Sequence, residues 1–440
     1  MSAPLRKLGL LVLLPVAALA FFLGTYFFFY RGGYDAPPAV DISFENIVQP
    51  TSSQASFNEV PQIHEGTLLV DAAHRNDFDE AEISAFLAKV ASRGYVIEML
   101  GQSGILGGFR TLDLSERTEL LEERLRQANS LAVILPEEPY SRAEVDIVEK
   151  FLDKGGRLLL IADPTRSHQI NSLAERFGIT FQPDYLYNTT EYDLNFQNIF
   201  VRDFRPDLLT QGLNQIAFYV AGSIKSSSPG LAYTDGNTHS SIVERIEPFF
   251  PMVKAGGDRV LAIGDLTFLV PPQNAILDND RLISNIAGFL TTGQRRFDIS
   301  DFPYFLKNDV EILLGSSGLI SQGTAAKALL SGFQRNSRIV GSEDITQDTL
   351  YLGLYKNASD VAQYLEVAGI RVDDSLRTPF SLDLNKEDTG LIFFHQGVDR
   401  IVLVILADSE NSIANMLELL ESGEFQSGLV SDFVGVYRTP

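Results

Sequence analysis

Beyond residue 62, short apolar runs alternate with amphipathic stretches of helical period. Residues 67–71 read as a buried strand. Ile83, Phe86, Leu87 and Val90 then fall on one helical face, at i, i+3, i+4 and i+7. Asp77 and Glu80 have capping-box spacing ahead of that helix. Gly94 ends it, and Tyr95–Leu100 reads as a second strand. A helix follows over 114–126 and a third strand over 130–135. Ser141 and Glu144 repeat the capping-box spacing and open a helix with Val145, Val148, Phe151 and Leu152 inward. Gly155 and Gly156 close it, because glycine takes the left-handed C-cap conformation without a Cβ clash. Arg157–Ile161 is the fourth strand. Such alternation predicts a parallel, doubly wound sheet with helices on both faces. Residues 185–238 are less regular and read as an excursion inside the same domain. Strand character returns over 259–268 and helix over 280–290.

The start of the chain follows a different pattern. Residues 8–30, from Leu8 to Tyr30, hold no charge over 23 positions. As a helix they reach about 34 Å, enough for a ~30 Å hydrocarbon core. Arg6 and Lys7 precede the run, whereas Asp35, Asp41 and Glu45 follow soon after it. The positive-inside rule then leaves the N-terminus in the cytoplasm and residues 31–440 outside. The run exceeds the h-region of a cleaved signal peptide, so it reads as an uncleaved signal anchor in the cytoplasmic membrane. Residues 31–62, broken by Gly32, Gly33, Pro37, Pro38, Pro50 and Pro61, read as a linker. The expected domains are therefore 1–30, the anchor; 31–62, the linker; 63–296, the α/β domain; and 297–440, an α+β domain.

In that last domain the apolar pattern repeats. Leu350, Leu352 and Leu354, then Val361, Tyr364, Leu365 and Ala368, match Val402, Val404, Leu406, Ile413, Met416, Leu417 and Leu420 at an offset of 52. Asn357 and Ser409 stand at matching helix starts. Further strands are expected over 370–376, 389–394 and 433–438. Two β-α-β halves of this kind predict a ferredoxin-like sandwich.

The chain of 440 residues carries a net charge of -22, and residues 1–30 contribute only Arg6 and Lys7 to it. So acidic a surface repels phosphate backbones and disfavours nucleic acid as a partner. Cysteine is absent, which removes disulfides, thiolate metal sites and a cysteine nucleophile together. There is no phosphate-binding G-x-x-x-x-G-K-[ST] loop, no H-E-x-x-H and no G-x-S-x-G elbow. Gly101, Gly104, Gly107 and Gly108 follow the second strand and read as a loop. Asn188 and Asn357 begin glycosylation sequons.

Ligands of an open α/β sheet bind beyond the carboxyl ends of its strands. The loops there supply Asp71, His74 and Asn76 after the first strand and Tyr140 after the third. Asp163, Thr165 and Arg166 follow the fourth, and Asp265 the late strand. These residues form the candidate ligand-binding edge. Each also suits an ordinary turn or cap. Asp71 and Asp163 end buried strands, where a carboxylate needs a partner, and Arg75 or Arg166 could serve. Asp71, His74 and Asp163 are the set a hydrolase would use, with or without a metal. No cofactor and no bound metal is expected.

The runs LLVDAAHRNDFDEAEISAFLAKVASRGYVIEML, AVILPEEPYSRAEVDIVEKFLDKGGRLLLIADPTR and RVLAIGDLTFL, with DNDRLISNIAGFL, resemble the membrane-anchored family named domain of unknown function 4350. That resemblance covers about residues 65–292. It implies a flavodoxin-like, class I glutamine amidotransferase-like fold, and a similarity to components of gliding and ABC-type transport systems. The amidotransferases need a Cys–His–Glu triad, so their cysteine chemistry is excluded here. The expectation is thus a membrane-anchored, extracytoplasmic binding or scaffold protein, non-catalytic, with the lipid bilayer and another membrane protein as partners. The alternatives are the hydrolase and an accessory transporter subunit.

Overall fold

A computed structural model describes residues 3–30, 59–103, 108–109, 112–244, 248–298, 301, 309–333, 335–397, 400–430 and 433–439. Residues 31–58 of the expected linker, and Gly104 and Gly107, lie outside the described residues. The chain is mixed α/β, with parallel strands in both of its large sheets.

Residues 3–30 form one helix, α1 (Ala3–Tyr30). Its stretch Leu11–Phe29, 19 residues, is long and apolar enough to cross a membrane, and none of that stretch is buried. Its Thr25 hydroxyl bonds the carbonyls of Phe21 (2.8 Å) and Phe22 (2.9 Å), so that polar group is satisfied within the helix.

The first large sheet has eight strands. In chain order its elements are β1 (Gly66–Asp71), α2 (Glu80–Ala91), β2 (Tyr95–Leu100), α3 (Leu114–Leu125), β3 (Ser130–Ile134), α4 (Arg142–Asp153), β4 (Arg157–Ile161), β5 (Asp203–Phe204), β6 (Gly230–Tyr233), β7 (Met252–Ala255), β8 (Val260–Ile263) and α5 (Asn279–Thr291). The strand order is β5-β6-β7-β8-β4-β3-β1-β2. From β8 to β2 the neighbours run parallel, and β5, β6 and β7 add an antiparallel flank. The central strands are apolar on both sides. Leu68, Val70, Leu159 and Ile161 enter one core with α2 and α5, while Leu69, Leu158 and Leu160 enter another with α3 and α4. A strand covered on both faces needs that continuous apolar run.

The helix ends follow from local chemistry. Ser141 Oγ accepts from Glu144 N (3.3 Å) and Glu144 Oε2 accepts from Ser141 N (2.7 Å), closing the expected capping box on α4. Gly155 ends that helix at φ 94°. On α2 the box sits two residues later than the sequence suggests: Asp79 N donates to Glu82 Oε2 at 2.8 Å. The reason is that Asp77 N is engaged by Leu135 O (3.0 Å), which holds Asp77 in the loop. Strand 259–268 is likewise cut to Val260–Ile263, because Gly264 passes directly over Gly222. Much of the expected excursion within 185–238 folds as short antiparallel ladders, Asn198–Val201 with Ile216–Tyr219 and Leu186–Asn188 with Thr238–Ser240.

The chain enters this sheet at its amino end. Glu59 accepts from Arg93 Nη2 (2.6 Å) and from the Ser284 hydroxyl, and His64 N bonds Arg93 O (2.8 Å). At the far end of the sheet's chain, Arg295 Nη2 bonds Asp301 (2.7 Å), and Lys154 bonds Asp298 (3.1 Å) and Asp301 (2.8 Å).

The second large sheet corrects the expectation of a ferredoxin-like sandwich. Its elements are β9 (Val310–Leu314), α6 (Ile320–Gly332), β10 (Ser337–Val340), β11 (Asp348–Leu354), α7 (Ala362–Val367), β12 (Thr389–Gln396), β13 (Ile401–Ala407), α8 (Glu410–Ser422), β14 (Leu429–Val430) and β15 (Val434–Arg438). The seven strands run β10-β9-β11-β13-β12-β15-β14, parallel as far as β13. A ferredoxin-like sheet is antiparallel throughout. The apparent duplication fails for a geometric reason. β11 and β13 pair at an offset of 53, Leu350 opposite Leu403, not 52. Since side chains alternate, one residue of slip reverses the face. Leu350 and Leu352 enter one core with α8, whereas Val402 and Val404 enter the other with Tyr364 and Leu365 of α7. The two halves therefore cover opposite faces of one sheet. The expected strand 370–376 becomes Arg371–Val372 and Leu376–Thr378 in a separate three-stranded ladder.

A glycine pair tests the packing at β8. A Cβ on Gly264 would stand 2.3 Å from Gly222 O, whereas nothing lies within 4 Å of one on Gly288 in α5. Gly264→Ala is expected to destabilise the protein by about 1–3 kcal/mol, and Gly288→Ala to stabilise it by about 0.5–1 kcal/mol. Denaturant midpoints of the two variants check both signs.

Candidate functional site

The carboxyl ends of β1 and β3 bring together Asp71, His74, Asn76 and Tyr140. Two left-handed, non-glycine residues shape the approach: Arg75 at φ 52° and Leu135 at φ 46°. Such conformations persist only where surrounding structure imposes them. Here Glu138 N bonds His74 O and Asp77 N bonds Leu135 O, both at 3.0 Å, so the two loops are stitched to each other.

Asp71 is the hub of the group. Its carboxylate accepts from His74 Nδ1 (3.0 Å), Tyr140 OH (2.8 Å), Asn76 Nδ2 (3.2 Å) and Ala73 N (3.0 Å). The Tyr140 ring stacks on the His74 imidazole, centroids 3.8 Å apart and planes 10° apart. On the other side of the imidazole, Nε2 lies 3.5 Å from Glu144 Oε1. This is an ion-pair contact rather than a hydrogen bond, and Nε2 has no hydrogen-bond partner among the described residues. Glu144 is held by Arg117, whose Nε donates to Oε1 at 2.8 Å, and Arg117 also reaches Glu138. Asp71, His74 and Glu144 are each 0% exposed, and Arg117 and Tyr140 only 5%.

The charges follow from this geometry. Burial opposes ionisation of Asp71, but the His74 charge and three hydrogen bonds outweigh it and hold the carboxyl below its usual range. Burial likewise opposes a charged His74, yet Asp71 and Glu144 raise its affinity for the proton above normal. Glu144, against the same cost of burial, is pulled down to about 2 by His74, Arg117 and Ser141. The Tyr140 phenol is pushed well up by burial and by Asp71, so it stays a hydrogen-bond donor.

The remaining candidates go elsewhere. Asp163 accepts from Thr165 N (2.8 Å) and Oγ1 (2.6 Å), and from Leu266 N and Thr267 Oγ1 at 3.4 Å. Asp265 accepts from Tyr219 N and Thr267 N, both at 2.7 Å. Burial, then the charge of Asp163, drives the Asp265 carboxyl well above its normal range, against the pull of its backbone donors. Arg166 turns away to Glu82 and Asp77 O, and Arg75 pairs with the half-exposed Glu137. Neither arginine serves Asp71 or Asp163 by a hydrogen bond. Among the described residues, no hydrogen bond or ion pair joins Asp163 to the Asp71–His74 group, and no three His, Cys, Asp or Glu are placed to hold a metal. Asn188 of the first sequon is buried and donates to Asp235 (3.0 Å), which leaves its amide enclosed.

Glu144 and Arg117 are the members that the loop reading missed. Arg117 shares a face with Leu121 and Leu125, and all three are buried. An arginine on an apolar helical stripe signals a buried carboxylate opposite.

Comparison with known proteins adds the following. Residues 109–203, a minority of the chain, match the family described as the IFT52 GIFT domain. No curated protein sequence matches the chain. Among solved structures, the mmIFT52 N-terminal domain is similar at 18% identity and TM-score 0.39, over 52% of this chain and 98% of that one. An exo-beta-1,4-mannosidase, Op5Man5 from Opitutaceae bacterium strain TAV5, is similar at 14% identity and TM-score 0.28, over 52% and 36%. A putative ThuA-like protein from Parabacteroides merdae ATCC 43184 is similar at 11% identity and TM-score 0.31, over 52% and 91%.

Two outcomes are expected of the buried network. Glu144→Ala strips His74 and Arg117 of their shared counter-charge and costs about 3 kcal/mol, read from denaturant unfolding. The second is a pH profile. His74 binds its proton more tightly folded than unfolded, so its contribution is complete below about pH 6.5 and is lost as pH rises through the raised folded value. Asp71 and Glu144 act in the opposite sense: their contribution is complete above about pH 4.5 and is lost as pH falls through their lowered values. The melting temperature is expected to peak between about pH 4.5 and 6.5. His74→Gln is expected to flatten the alkaline decline; an unchanged decline would count against this assignment.

Proposed function

We propose that the chain is a membrane-anchored, extracytoplasmic binding or scaffold protein that performs no catalysis at the Asp71–His74 group. The observation that carries this reading is the burial of that group. Asp71 and His74 share a hydrogen bond, His74 faces Glu144 across an ion-pair contact, and none of the three is exposed. A general acid or base must reach the proton it moves, directly or through one water. A group enclosed by its own partners is built for stiffness at the strand ends rather than for turnover.

The anchor is α1, with its Leu11–Phe29 stretch in the cytoplasmic membrane and the basic residues Arg6 and Lys7 on the inner side. The first sheet, with helices on both faces, fits a doubly wound fold of the flavodoxin-like and amidotransferase-like kind. Placement in the family of domain of unknown function 4350 agrees with that architecture. Such a fold without cysteine is available as a platform, and its partners are the lipid bilayer and another membrane protein.

A phosphatase-type reporter fused after Pro440 is expected to be active only outside the cytoplasm, and the full chain to need detergent for extraction. Gentle-detergent purification after cross-linking is expected to yield a stoichiometric membrane-protein partner, retained in Asp163→Asn. A hydrolytic activity of the pure protein that His74→Gln abolishes while the fold stays intact by circular dichroism would overturn the reading. Co-purification of an ABC permease would assign the scaffold to a transporter.

A further inference from the structure

Residues 184–201 and 234–244 build an aromatic stripe away from the buried network. Leu186–Asn188 pairs antiparallel with Thr238–Ser240, which sets Tyr187 opposite His239. Their rings stack at 5.5 Å and 30°. Tyr185 lies 6.2 Å from the Tyr187 ring, and Phe196 meets it edge-on at 6.1 Å. Because strand side chains alternate, Leu186 and Asn188 are buried while Tyr185 and Tyr187 take the outer face. Phe196 is 46% exposed, and Leu194 and Ile242, in the same two segments, are 54% and 59% exposed. Leu194 also sits in the left-handed region at φ 59°, a conformation that disfavours an apolar residue with a Cβ.

The stripe is stiff. Beneath it, buried Asp184 accepts from Ser223 N (2.9 Å) and from the Ser240 hydroxyl (2.5 Å). The Asn188 amide donates to Asp235 (3.0 Å), and Tyr185 N to Ser241 Oγ (3.0 Å). The rings are thus held in place before any partner arrives, which lowers the ordering cost of binding.

Charge selects the partner. Asp184 and Asp193 are buried and Glu191 is paired with Arg202 at the edge of the first segment, which leaves Asp235 and the exposed Glu244 as the acids of these two segments that face outward, within a chain of net charge -22. Aromatic faces are themselves electronegative, so rings and carboxylates attract the same species. We propose that this stripe docks a lysine- or arginine-bearing segment of a partner protein, its cation seated on the rings of Tyr187 and Phe196. The docking is independent of the scaffold reading, since it requires nothing of the Asp71–His74 group.

The test uses the full chain in detergent and two fluorescein-labelled short peptides, one alternating glycine with arginine, the other with glutamine in place of each arginine. Fluorescein is carried only by the peptide, so the anisotropy reports the peptide alone. Anisotropy titration is expected to show binding of the arginine peptide only. Tyr187→Ala, which leaves the charge unaltered, is expected to weaken it at least about fivefold. Tyr187→Phe, which keeps the ring, is expected to bind like wild type and controls for folding. Glu418→Gln, an exposed acid on α8, is expected to bind like wild type as well. Equal binding of the glutamine peptide, no binding of the arginine peptide, or undiminished binding by Tyr187→Ala overturns the proposal. The last outcome would assign the attraction to net charge alone.

Discussion

A carboxylate at the end of a strand buried on both faces cannot be hydrated, and the first sheet is organised around that fact at Asp71. The answer is a relay of partners. His74 neutralises Asp71, Glu144 balances His74, and Arg117 balances Glu144 before passing the chain of charge outward to Glu138. Each step belongs to a different element: the end of β1, the first turn of α4, the inner face of α3 and the loop after β3. One unsolvated charge thereby fixes where two helices and two loops stand. Removing either side of such a pair costs more than the pair itself contributes, because the orphan stays buried.

The same sheet solves the same problem in a second way. Beyond β4 and β8, Asp163 and Asp265 share the neighbourhood of Thr267, and the affinity of Asp265 for a proton is raised with no cation paired to it among the described residues. Counter-charge and proton retention are the two routes open to a buried acid. Both keep the acids enclosed within the fold. For that reason a cluster of polar residues at strand ends does not by itself amount to an active site.

Much of this architecture was legible in the residues. The i, i+3, i+4, i+7 face of α2, the Ser141–Glu144 box and the Gly155 stop each act within about two turns of chain, and each is found where its spacing puts it. What escaped depended on contacts between distant segments. Asp71 and His74 were readable as neighbours three apart, but the partner of His74 on its far side is Glu144, a residue that the sequence presents simply as a cap. Asp163 seemed to belong with Asp71 because both end buried strands; the loop geometry sends it to Thr165 and Thr267 instead. The repeat at offset 52 misled because apolar alternation is nearly blind to a slip of one, whereas strand pairing is not. The register Leu350 to Leu403 decides which core each residue enters.

The Glu59 clasp has a mechanical consequence. The chain reaches β1 only after Glu59 has been gripped by Arg93 and Ser284, from the end of α2 and from α5. A tug on the polypeptide ahead of residue 59 would therefore meet a charged knot first. Behind it, β1 lies between two parallel neighbours, so the tug would load their hydrogen bonds in shear, all at once, and not one by one as when a hairpin unzips. The Asp71 end of the strand, about 17 Å beyond Gly66 at ~3.3 Å per residue, would share that load.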